Sequence, residues 1–159
     1  VSTRPIPRHL RVHTWYPGQL AYLAARGLKP RHDPGDADPR RAVLVSVDLK
    51  GVDLTRAVLR AVDLSHALLE GAILRSVDLS GAILTDADMT RVDLTDAILE
   101  GAILIDADLR GAVLRRADLT GVDLTDAILI DADLSDAILI DADLSDAILI
   151  DADLSGVDL

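Results

Sequence analysis

The chain has 159 residues, half of them hydrophobic, with no Phe, one Trp and two Tyr, so a folded core must be aliphatic. Cys is absent, which excludes disulfides, thiolate metal sites and Cys nucleophiles and leaves the redox compartment open. The net charge of −11 is uneven: residues 1–41 carry eight Lys/Arg against three Asp (+5), residues 42–159 eight Lys/Arg against 24 Asp/Glu (−16).

The basic segment 1–41 holds all six Pro. Its start, VSTRPIPRHL, has no apolar signal core, and no run in the chain approaches a membrane span, so the expectation is a cytoplasmic protein without membrane contact. A first residue of Val fits an alternative start codon or a piece of a longer chain. Between Pro17 and Pro30, GQLAYLAARGLK predicts one short helix over about 18–28, with Leu20, Leu23 and Leu28 on one side. Its expected role is to cover the N-terminal mouth of the region that follows, and its segment's charge could latch onto an acidic surface. RHDPGDADPRR (31–41) reads as a linker.

From Ala42 the chain has a strict period of five to its last residue. The central position falls at 44, 49, 54 and onward to 159, 24 positions, and is Leu everywhere except Met89. Two residues earlier the residue is always Ala or Val. A helix turns about 100° per residue, so a five-residue step would scatter the leucines around its surface. The two-residue offset of Ala/Val from Leu instead puts both on one face of a very short extended piece, followed by a turn. Seven of the ten Gly lie two residues after the central position, as a recurring positive-φ turn requires.

Units such as VDLTD (92–96), ADLTG (117–121) and ADLSD (132–136) resemble the pentapeptide-repeat family, over about three quarters of the chain. The resemblance implies an all-β fold: a right-handed quadrilateral β-helix solenoid with four pentapeptides per coil. Residues 42–159 would make about six coils of it, preceded by the short irregular or helical N-terminal segment 1–41. Family members often have Phe at the central position and Asn before it; this chain has neither Phe nor Asn, which implies a slim, leucine-filled variant.

If residues 20 apart stack, Leu64, Leu84, Leu104, Leu124 and Leu144 form one core ladder. The same face carries a corner column of Asp86, Asp106, Asp126 and Asp146, with Asp123 and Asp143 just before their leucines, as an acidic contact face. The ten-residue unit DAILIDADLS occurs three times over 126–155, and a period of ten inside a coil of twenty places alternate halves on alternate walls. Ile128, Ile130, Ile148 and Ile150 then share one wall, a contact or self-association face, with Ile138 and Ile140 opposite.

No catalytic, cofactor or metal site is expected. His66 reads as a surface residue; His9, His13 and His32 lack zinc-ligand spacing; and DADLSD lacks the Gly and Glu of a calcium-binding loop. The expected function is non-enzymatic: an acidic protein-interaction scaffold, its partner unidentified, able to form a homodimer through the C-terminal coils. The alternative, carried by the resemblance, is a DNA mimic that binds DNA gyrase or another topoisomerase, as in quinolone protection. Direct nucleic-acid binding is not expected of so acidic a rod.

Overall fold

The computed structural model describes residues 44–159. The helix expected over 18–28, the linker and the boundary at 41/42 lie outside the described residues.

Every pentapeptide from Leu44 onward repeats one conformation, so its positions can be numbered −2, −1, 0, +1 and +2 about the central Leu. The residue at −1 is extended and forms a single parallel bridge to the residue 20 further on, as in the series Asp63, Ile83, Ile103, Asp123 and Asp143. One coil therefore contains four units. Each unit gives the wall only one bridged residue, because two of its five residues are spent in the turn that follows.

The residue at +2 adopts a left-handed φ of 52–70° in unit after unit. The N–H at the next −2 closes the turn on the carbonyl at 0, as from Ala67 to Leu64 at 3.0 Å. Positive φ at the third residue only is the type II pattern. Most other amides bond between coils. Leu84 and Asp86 donate to Ile103 and Ile105 of the next coil, and Asp88 donates to Ala67 of the preceding one, all within 3.0 Å.

Positions −2 and 0 point inward and fill the core with Ala, Val and Leu. Leu64, Leu84, Leu104 and Leu124 are buried, and Met89 fits the Leu ladder at 0 % exposure. Burying one Leu is worth about 1.5–3 kcal/mol, so the stacked ladders stabilise the coil without an aromatic residue. Leu144 is only half-buried, because no further coil covers it within the described residues.

Candidate interaction surface

The outward residues at −1, +1 and +2 form the surface, and the backbone decides what each can do. Among the described residues no +1 amide donates to a backbone carbonyl. Where −1 is Asp, its carboxylate accepts that amide, as from Thr55 to Asp53 at 2.9 Å and from Ser135 to Asp133 at 3.0 Å. This is an Asx turn, a side chain completing the backbone's hydrogen bonding two residues on. When +1 is Ser or Thr, the hydroxyl generally donates to the same oxygen, at 2.6 Å for Ser65 on Asp63 and for Thr125 on Asp123.

That geometry explains the pairing of outward residues. Of the twelve units with Asp at −1 and a residue following at +1, ten have Ser or Thr at +1. The eleven units with an apolar −1 contain one Thr and no Ser there. In DAILIDADLS, Asp-Leu-Ser is thus a closed hydrogen-bonded set, and Ile-Leu-Ile is an apolar pair flanking a core Leu.

The expected acidic face divides accordingly. Asp123 and Asp143 bridge each other's strands, and each spends one carboxylate oxygen on its own turn, through Thr125 and Ser145. Asp143 is held below the usual carboxylate range by the Ser145 hydroxyl and then by the Ser145 amide. Asp153 is lowered likewise, first by the Ser155 amide. Asp86, Asp106, Asp126 and Asp146 are instead exposed corner residues at φ 55–58°. Aspartate tolerates this conformation better than most non-Gly residues, and Asp and Gly together take 16 of the 23 corners.

Sequence reasoning missed how far this corner rule extends. From Asp126 to Asp151 six consecutive corners are aspartate (126, 131, 136, 141, 146, 151), all exposed and all left-handed. In the C-terminal coils, exposed acid therefore runs along the corners that flank every wall, in addition to the wall aspartates. The signal was present: Asp131 and Asp151 occupy the position that Gly51, Gly71 and Gly111 take further back in the same column.

The basic residues of the coils all lie between 50 and 116, and most of them sit beside acids. Arg116 reaches Asp96 with Nε and Nη2 at 2.7 and 3.0 Å, and Lys50 reaches Glu70 at 3.1 Å, both across one coil step. Arg60, Arg75 and Arg115 approach Asp78, Asp93 and Asp133 of the next coil at 3.3–3.9 Å. Arg110 forks onto Asp108 within its own unit and lowers that carboxyl. Residues 117–159 hold twelve Asp and no Lys or Arg, so the charge there is largely uncompensated.

The four expected isoleucines do come together. Ile128 and Ile148 are bridged neighbours, and Ile130 and Ile150 follow them at +1 on the same wall. Ile148 and Ile150 are 41 % and 60 % exposed, whereas Ile128 and Ile130 are half-buried, so the apolar patch is weighted toward the outer coil. The corners on either side carry Asp126 and Asp146, and Asp131 and Asp151. The wall is an apolar quartet between two acidic rails. Across the rod, Ile138 bridges Asp118 and Asp158, so no second quartet forms.

His66 is exposed, with Nδ1 3.6 Å from Asp86. Among the described residues no group of His, Asp and Glu is arranged to hold a metal ion, and no helix is long and apolar enough to cross a membrane.

The chain matches the family model for pentapeptide repeats in eight copies, over residues 35–60, 63–101, 93–129 and 127–159. A search of curated proteins finds no match. Among solved structures it is similar to the pentapeptide-repeat protein Rfr23 of the cyanobacterium Cyanothece 51142. There the identity is 31 % and the TM-score 0.55, over 73 % of this chain and 90 % of that one. A pentapeptide-repeat protein of Nostoc PCC 7120, alr5209, is 34 % identical at a TM-score of 0.32, over 61 % of this chain and 84 % of that one. Trypsin-treated QnrB1, a plasmid-mediated fluoroquinolone resistance protein, is 23 % identical at a TM-score of 0.46 and covers 72 % of this chain. The chain spans 61 % of the length of QnrB1. The likeness to Rfr23 implies the right hand of the β-helix.

Proposed function

The chain belongs to the pentapeptide-repeat family, and from that premise we propose that it is a non-enzymatic scaffold of about six coils that binds a basic protein partner. The observation that carries this is the isoleucine quartet between rails of exposed aspartates, in a stretch of twelve Asp without a Lys or Arg. Contiguous apolar surface marks contact sites, and flanking charge of one sign selects the partner's sign and speeds its approach. A partner segment with apolar residues bordered by Lys or Arg would cover the isoleucines and neutralise both rails.

The experiment is site-specific photo-crosslinking in cells, with the photoreactive residue at 148 and, as a control, at 103 on the neighbouring wall. A discrete basic protein captured from 148 and not from 103 supports the reading. No adduct from either position, or equal labelling from both, removes it.

One observation favours DNA mimicry as a second reading. A charge of −16 on six rungs of about 4.7–4.9 Å gives one charge per roughly 1.8 Å, against about 1.7 Å for duplex DNA. The ion pairs between 50 and 133 concentrate the free charge toward one end, whereas a duplex is charged along its length. A gyrase supercoiling assay decides it: unchanged supercoiling and unchanged quinolone sensitivity at micromolar protein eliminate the mimic.

A further inference from the structure

The isoleucine wall lacks a partner within the described residues, and a second copy suits it poorly. Face-to-face pairing by a two-fold axis would bring Asp126, Asp131, Asp146 and Asp151 of one copy against the same four of the other. Opposed like charges are unfavourable, and four isoleucines fall far short of the roughly 20–30 residues a side of a stable interface. The occupant must bring positive charge.

The chain itself contains that chemistry. Residues 4–16, RPIPRHLRVHTWY, combine Arg4, Arg8 and Arg11 with Ile6, Leu10, Val12 and Trp15, and contain no acid. The distance also fits. From Leu44 to the wall is four to five coil steps, about 19–25 Å along the axis. The 27 residues 17–43 have ample covalent reach for it, at about 3.3–3.6 Å per residue when extended. A covalent tether that can reach the wall raises the effective concentration of its end there, so even weak contacts gain occupancy.

We propose that residues 4–16 dock in cis on the wall of Ile128, Ile130, Ile148 and Ile150, with Arg4, Arg8 and Arg11 on the aspartate rails. The segment then occupies the surface proposed above for the partner, which must displace it. This inference rests on that reading for its biological meaning, but the contact itself can be tested in the isolated protein. Residues 44–159 hold no aromatic residue and Trp15 is the chain's one Trp, so its fluorescence reports the contact without a label.

The experiment follows Trp15 emission and acrylamide quenching in the purified full chain at low ionic strength. Expected is a blue-shifted emission and a quenching constant several-fold below that of free tryptophan. It should rise toward the free value near 1 M salt, where the screening length shrinks to about 3 Å. Ile148→Asp/Ile150→Asp should expose Trp15 at low salt, as should Arg4→Glu/Arg8→Glu/Arg11→Glu. Ile98→Asp, an equally exposed substitution on another wall, should leave it protected. Trp15 as accessible as free tryptophan at low salt overturns the proposal. So does protection lost equally in Ile98→Asp, or protection that disappears on dilution, which would place the segment on another copy. Failure here leaves partner binding standing, because crosslinking from 148 reads a second protein directly.

Discussion

Asp123 and Asp126 lie three residues apart, look alike in sequence, and differ in what they hold. The Asp123 carboxylate completes a turn through the amide and hydroxyl of Thr125, at 3.0 and 2.6 Å, whereas Asp126 stands exposed at φ 58°. Asp123→Ala should therefore cost about 1–2 kcal/mol by urea unfolding, the value of losing a charge-assisted bond to an amide with no backbone partner. Asp126→Gly should be neutral to within about 1 kcal/mol, because Gly takes the left-handed conformation freely. Asp126→Val should cost about 1–2 kcal/mol although the position is exposed, since a β-branched residue clashes there. The pH dependence has a definite sign. Asp143 and Asp153 titrate below 3.8 in the folded protein, so their stabilisation is complete above 3.8 and is lost as pH falls below it. The difference in unfolding midpoint between wild type and Asp143→Ala should hold from pH 7 down to that point and narrow below it.

The pentapeptide is the element of this fold, and it is unstable alone. A unit offers one bridged residue and two inward side chains, so its stability comes from the coils above and below it. That makes the cost of a core substitution depend on its level in the stack. Leu104, fully buried with coils on both sides, should cost about 3–5 kcal/mol on replacement by Ala. The same change at half-buried Leu144 should cost about half as much, both read from denaturant unfolding curves. Equal losses at the two positions would mean that neighbouring coils do not set the cost. The unit was legible in the sequence down to its inward residues and its turn, because a period of five with Leu at the centre admits no helix. The Asx turn was not, although the pairing of Asp with Ser or Thr two residues on was in plain view. Its reason is an amide that only the closed coil leaves without a backbone partner.

At the scale of the whole molecule, charge is sorted along the rod. Residues 42–116 carry twelve acids and eight bases (−4), most of the bases beside an acid, whereas residues 117–159 carry −12 and no base. The aspartate rails should hold copies apart at low ionic strength and relax as salt screens them. Light scattering is expected to give a monomer mass at about 20 mM salt, with association, where it occurs, growing toward 1 M. It should be abolished in Ile128→Ser/Ile148→Ser. A dimer that is strongest at low salt would show that attraction between opposite charges joins the copies, and would contradict the repulsion argued here.

The sequence by itself determined the repeat, its register, the aliphatic core and the surplus of acid, because each depends only on which residue recurs at which interval. It also placed Ile128, Ile130, Ile148 and Ile150 on one wall, since ten divides twenty and the coil holds twenty residues. Only the tertiary structure decided which acids face outward unspent. Position −1 lies within reach of an unpaired amide and gives up one carboxylate oxygen to it, whereas +2 lies at a left-handed corner pointing into water. Asp131 and Asp151 therefore join the isoleucine wall as its rail, and Asp123 and Asp143 belong first to the turns that hold the coil together.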